Sequence, residues 1–162
     1  MNTKYTITEN DYIQASKLHL RLTKKRLFAN IFSVVFILVL IFSGNEIISR
    51  FATIAFLGAT TAIIFLRYVL HPIMARRNYR NYPAIKQEFE IELEESGIKI
   101  STQTSQSQIM WKNIIKWREG EKYILVYLMP SMFNVIPKSL ESSGFEISKL
   151  KEYLQENVGN AT

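Results

Sequence analysis

The chain contains no cysteine. That excludes disulfides, thiolate catalysis, Cys-ligated zinc and iron–sulfur clusters. Its six glycines are scattered and none are adjacent, so no Gly-rich loop exists to cradle a phosphate. There are two histidines, His19 and His71, and they lack the short spacing of a metal-ligand motif. No serine sits in a nucleophile-elbow pattern. The residue patterns of most catalytic sites are therefore missing.

Charge is missing from two stretches. Leu27 to Phe42 reads LFANIFSVVFILVLIF, interrupted only by Asn30 and Ser33. Phe51 to Leu66 reads FATIAFLGATTAIIFL, and past Arg67 it continues as Tyr68-Val69-Leu70. The overall hydrophobic fraction of 48% is ordinary for a globular protein, so the signal lies in the distribution. Crossing a bilayer takes about 20 helical residues. The first run reaches that range with Ser43 and the snorkelling stems of Lys24, Lys25 and Arg26; the second does so with Arg67 near an edge. Neither run carries the polar stripe that a core helix of a soluble bundle keeps. A signal peptide is disfavoured, because no small-residue cleavage site follows the first run before the second.

The net charge of +6 is unevenly placed. Residues 1–26 carry +4, Arg76, Arg77 and Arg80 carry +3, and residues 81–162 carry −2. Lys/Arg enrichment in short flanks marks the cytoplasmic side of a membrane. The expected order is therefore a cytoplasmic strand and helix over 1–26 and a transmembrane helix over 27–43. An extracytoplasmic loop over 44–50 and a second transmembrane helix over 51–70 follow. A basic juxtamembrane linker over 71–85 leads to a cytoplasmic β domain over 86–159. Both termini are cytoplasmic in this reading. The basic residues sit where anionic headgroups would be, so membrane contact is assigned to Lys24, Lys25, Arg26, Arg76, Arg77 and Arg80, and nucleic acid is not expected as a partner.

The flanks have their own patterns. Lys4–Ile7 is β-prone and suits an extra edge strand. Thr8 is an N-cap candidate with acids in the first turn, opening a helix whose apolar residues are Tyr12, Ala15, Leu18 and Leu22. Phe89, Ile91 and Leu93 alternate with Glu88, Glu90, Glu92 and Glu94, which predicts a strand with one buried and one acidic face. A hairpin at Gly97 follows, then short strands ending at Trp111 and spanning Ile114–Arg118. Tyr123–Leu128 is the most apolar strand, hence central, and Phe133–Ile136 follows it. A last helix from about Ser148 presents Ile147, Leu150, Tyr153 and Val158, and Gly159 ends it. Trp111, Ile124, Val126, Ile136 and Leu150 are the expected core. The fold class is α+β, with a two-helix hairpin inserted between a short N-terminal strand and helix and an antiparallel β domain.

Several of these segments together look familiar. Tyr5-Thr6-Ile7-Thr8-Glu9-Asn10-Asp11-Tyr12, two apolar runs, an Arg-rich exit, Glu95-Ser96-Gly97-Ile98, Trp111 and Ile136-Pro137-Lys138 together resemble the YcxB-like family of small bacterial membrane proteins. The resemblance implies a membrane anchor plus a small cytoplasmic β domain, similar in strand order to pleckstrin-homology-like domains. It implies no particular biochemical activity.

Function classes are then weighed on residues. A non-enzymatic, membrane-anchored binding module fits best, without cofactor or metal, with anionic lipid and an unidentified protein as partners. The acidic ladder Glu88, Glu90, Glu92 and Glu94 is the candidate partner-binding face. An immunity protein that meets a basic, secreted or membrane-active toxin on that ladder is the alternative. A transporter would need oligomerisation to enclose a path, and a homo-oligomer is left open.

Overall fold

The computed structural model describes residues 3–21 and 23–162, and the backbone alone of Lys24, Lys25 and Arg26. Leu22 lies outside the described residues, as do the side chains of those three bases. The chain forms two compact units, one made of Met1–Leu20 with Arg76–Thr162 and one of Arg21–Ala75.

The second unit is a helical hairpin. Helix α2 spans Lys24–Ile41 and helix α3 spans Glu46–Phe65. Gly44 turns the corner with φ +77, a left-handed conformation that costs glycine little. Asn45 caps α3 by accepting from the amides of Ile47 and Ile48. The helix thus starts at Glu46, ahead of the expected Phe51. Glu46 and Arg50 interrupt the apolar run, which is why they read as loop. They form an i,i+4 ion pair at 3.3 Å on the first turns of the helix instead.

At its far end α3 passes into a π-helical turn, Leu66–Leu70, and then into helix α4, His71–Asn81. His71 N–H donates to the Leu66 carbonyl, one residue further back than in an α-helix. Pro72 follows at once. It has no N–H to give, and its ring crowds the carbonyl four residues back, so a widened turn there relieves both problems. The stretch 71–81, read as linker, is therefore helical. The whole helix Glu46–Asn81 is long and apolar enough to cross a membrane, and Leu27–Ile41 is a shorter apolar helix. Both expose large apolar side chains around their circumference, among them Phe28 at 73%, Phe32 at 75% and Phe51 at 70%.

The first unit is α+β. Strands β1 (Thr3–Tyr5), β2 (Phe89–Glu94), β3 (Gly97–Ser101) and β4 (Gln106–Met110) form one antiparallel sheet in that order. Strands β5 (Lys116–Glu119), β6 (Tyr123–Tyr127) and β7 (Phe133–Pro137) form a second. The N-terminal arm pairs with β2 as the expected edge strand, Thr3 opposite Ile91 and Tyr5 opposite Phe89. Between β4 and β5 a 3₁₀ turn, Trp111–Asn113, carries the chain from one sheet to the other. The strand expected to end at Trp111 therefore stops at Met110, and the one expected at Ile114–Arg118 begins at Lys116. Trp111 still reaches the core, where its indole N–H donates to the Glu95 carbonyl at 2.8 Å.

Gly97 marks the hairpin for a different reason than turn torsion. Its φ is not positive, and it opens β3 instead of sitting at the bend. A Cβ there would lie 2.0 Å from the Ile109 carbonyl oxygen, so β3 and β4 approach closely only over a glycine.

Helix α5 (Ile147–Val158) closes the core with Ile147, Leu150 and Leu154. Ile91, Ile98, Trp117, Ile124, Val126 and Ile136 pack with it, and all five expected core residues are buried. Strand β6 is central and buried on both faces, as its composition predicts. Ile124 and Val126 face this core. Tyr123, Leu125 and Tyr127 face a second cluster with Ile7 and Ala15 of the N-terminal segment, which also includes helix α1 (Glu9–His19).

Candidate functional site

The N-terminal segment is bound to the β unit through named polar contacts. Thr8 and Asp11 form a capping box, in which Asp11 N–H donates to the Thr8 hydroxyl and Thr8 N–H to Asp11 Oδ2. The other carboxylate oxygen of Asp11 accepts the Tyr123 hydroxyl at 2.6 Å. Burial pushes the Asp11 carboxyl up, but the donors Tyr123 and Thr8 outweigh it and hold it below the usual range. At the other end of α1, the buried Arg118 donates to the carbonyls of Leu18 (3.0 Å) and His19 (2.6 Å). A guanidinium there satisfies terminal carbonyls and opposes the negative end of the helix dipole. His19 Nδ1 lies 3.0 Å from the Tyr127 hydroxyl, and its ring stacks on Phe133.

Two of the expected membrane-contact residues have partners within the unit. Arg80 faces Glu9 with Nε at 3.2 Å and a second nitrogen at 3.4 Å, and Arg76 lies 3.7 Å from the same carboxylate. Arg77 is exposed. Tyr79, one turn from Arg76, donates to the Ile7 carbonyl at 2.8 Å. These bases are therefore coupled to the N-terminal segment as well as being a surface.

Of the acidic ladder, Glu90, Glu92 and Glu94 lie on one face of β2, as the alternation predicts, and Glu88 just precedes the strand; the charge is partly compensated. Glu88 pairs with Lys4, Glu92 with Lys99, and Glu94 accepts from the Gln108 side chain at 2.8 Å. Glu90 lies between Lys4 and Ser101 in the sheet. A shallow cavity of about 300 Å³ is bounded by Glu90, Glu92, Lys99, Ser101 and Gln106. A second acid cluster involves Glu119, which accepts from Lys138 at 2.5 Å and Lys151 at 3.0 Å. The Lys138 hydrogen bond, with Lys151, outweighs partial burial and lowers the Glu119 carboxyl. Lys138 of the Ile-Pro-Lys segment is thus engaged inside the unit.

One apolar cavity was not anticipated. It measures about 550 Å³ and lies where β1, the start of α1, the 3₁₀ turn Pro83–Lys86 and β7 converge. Tyr5, Tyr12, Tyr82, Phe89 and Phe133 supply aromatic walls; Ile7, Ile85 and Val135 complete the apolar lining. Ser131 and Asn134 are its polar side chains besides the tyrosines, and no lining residue is charged. Tyr5 stacks on Phe89 at 5.4 Å and donates to the Val135 carbonyl. Burial raises the Tyr5 and Tyr12 hydroxyls above their ordinary values, so both stay protonated and neutral. The lining residues are scattered from Tyr5 to Val135, and no local spacing links them. The only signal in sequence was the density of aromatics in otherwise polar flanks. Among the described residues, no three acidic or histidine side chains gather to hold a metal ion.

An antiparallel α+β unit, assembled from both flanks of an apolar hairpin and carrying a neutral aromatic groove, is the class this geometry defines. Its segment 93–154, from the end of β2 into α5, matches the family model described as YcxB-like protein, so the family resemblance is shown over that stretch. No curated protein and no solved structure matches the chain.

Proposed function

We propose that this chain is a membrane-anchored, non-enzymatic binding module. The apolar segment crosses a bilayer twice, through Leu27–Ile41 and the apolar part of Glu46–Asn81, and the β-rich unit lies on the cytoplasmic side of a bacterial inner membrane with both termini. One observation carries the reading: Met1–Leu20 and Arg76–Thr162 fold into one unit, with the apolar hairpin between them. Flanks that share a fold must leave the membrane on the same side, which requires an even number of crossings. Glu46–Asn81 supplies one, so Leu27–Ile41 supplies the other. Apolar side chains exposed around both helices fit a lipid solvent, where no polar stripe is needed. The bases Lys24, Lys25, Arg26, Arg76, Arg77 and Arg80 flank the pair and set the orientation. The sheets of four and three strands with a C-terminal helix support the pleckstrin-homology-like reading that the family resemblance implies.

Recognition of a protein on Glu88, Glu90, Glu92 and Glu94, and with it the immunity reading, has weaker support. Lys4 and Lys99 already offset part of that charge. The aromatic groove is the better candidate for the binding surface.

The absence of cysteine makes topology directly measurable. Ser43→Cys should react with a membrane-impermeant maleimide in intact cells, and Gln155→Cys only after lysis. Equal reactivity of the two positions, or the reverse order, would sink the proposal.

A further inference from the structure

The groove's chemistry selects its occupant. A peptide laid into it would bring backbone N–H and C=O groups, each needing a partner. Among the wall side chains only Ser131, Asn134 and the tyrosine hydroxyls are polar, and one of these already donates to Val135, so a peptide would have to find its partners on the backbone of the outer strands β1 and β7. A charged metabolite would find no counter-charge in the lining. An alkyl chain has no polar group to satisfy, so the same poverty of partners costs it nothing. The cavity of about 550 Å³ is within the ordinary range of small-ligand pockets, about 300–1,000 Å³. Two residues at its margin, Tyr82 and Met132, are at least half exposed and present apolar surface to solvent.

Supply is the second argument, and it rests on the membrane-anchor reading above. Helix α4, His71–Asn81, is the whole of the chain between the last residue of the apolar stretch, Leu70, and Tyr82 on the groove wall. Eleven helical residues rise only about 16 Å. Tyr82 is thus tethered within reach of the bilayer's interfacial layer, where tyrosine is favoured. Acyl chains, in the hydrocarbon directly beneath that layer, are the apolar molecules at the highest concentration in a bilayer.

We infer that the groove between Tyr5, Tyr12, Tyr82, Phe89 and Phe133 takes one acyl chain of a membrane phospholipid. The β unit then samples lipid through this groove, while the basic flank contacts headgroups.

The test uses the full chain reconstituted in phosphatidylglycerol–phosphatidylethanolamine vesicles doped with a phospholipid carrying a diazirine on one acyl chain. After irradiation, adducts are mapped by mass spectrometry. Adducts are expected on peptides containing Tyr5–Tyr12 and Ser131–Val135 as well as on both apolar helices. Ala84 is exposed and lines the groove, so Ala84→Trp fills it without entering the core. That variant should lose groove adducts by about tenfold, equivalent to 1.4 kcal/mol of occupancy, and keep those on the helices. Helix adducts without groove adducts overturn the acyl-chain inference, leave the anchor reading standing, and return the groove to a protein segment. Groove adducts that persist undiminished in Ala84→Trp overturn it too. Absence of adducts everywhere, with the protein extracted at alkaline pH, overturns the anchor reading and this inference together.

Discussion

Tyr123 donates its hydroxyl to Asp11 at 2.6 Å, joining the centre of the second sheet to the first turn of α1 across 112 positions of chain. The bond is charge-assisted, and its removal is the most direct probe of how firmly the N-terminal segment is held. Tyr123→Phe should cost roughly 1–3 kcal/mol in urea titrations of the detergent-solubilised protein. Trp111 and Trp117 both lie in the β unit, so their fluorescence reports on that unit alone. An unchanged midpoint would mean that the contact contributes nothing.

The same pair sets a pH dependence. The Asp11 carboxyl is lowered in the folded protein, as is that of Glu119. Each binds a proton less readily folded than unfolded. Their stabilisation is therefore complete above the ordinary carboxylate range and is lost as pH falls through that range and below it. In Tyr123→Phe the acid limb should flatten, because a cause of the Asp11 shift is gone. Melting temperatures measured from neutral to acidic pH check this. A parallel offset at every pH would assign the loss to packing.

Gly97→Ala should destabilise the β unit by at least about 2 kcal/mol, since its Cβ must displace the Ile109 carbonyl and with it the β3–β4 pairing. Gly58, in α3, has nothing within 4 Å of an added Cβ. Gly58→Ala should leave the tryptophan-detected transition where it is. Equal effects of the two substitutions would contradict the close approach at Gly97.

Arg118→Met keeps a buried aliphatic stem and removes the donors to the Leu18 and His19 carbonyls. Amide exchange in α1 should accelerate first at its C-terminal end, with β6 less affected. Loss of protection across both sheets would show a core role in place of a helix-terminal one.

Ile124→Asp places a charge at a fully buried position between the sheet and α5. The cost is several kcal/mol, comparable with the stability of a small domain. A variant that melts like the parent would mean that Ile124 does not occupy that core.

Local periodicity made much of this legible. Alternation at Phe89–Glu94 gave β2 and its acidic face, and Thr8 with Asp11 gave a helix start that is a true capping box. The continuous apolar run Tyr123–Tyr127 gave a strand buried on both sides. Whatever depends on distant pairing stayed hidden. Glu46 and Arg50 looked like loop because charge interrupted hydropathy, whereas an Asn45 cap and an i,i+4 pair make them helical. The division into two sheets turns on a three-residue 3₁₀ element at Trp111 that has no strong local signature. The groove was invisible because Tyr5, Tyr82 and Phe133 meet only after the N-terminal arm has closed on β2.

That closure has a cost in time. The arm is synthesised first, yet its partners on β2 and β6 leave the ribosome only after both apolar helices. At about 5–20 residues per second, the 112 positions from Asp11 to Tyr123 take on the order of ten seconds to translate. β1 has no neighbour to hydrogen-bond until β2 emerges, and Ile7 and Ala15 have nothing to cover them until β6 does. Long-range pairing of this kind also slows the folding step itself. The nascent chain therefore passes through a stage in which a sticky N-terminal segment waits beside the apolar hairpin. A ribosome stalled between Asn81 and Tyr123 would leave that segment exposed to whatever chaperone or protease samples it.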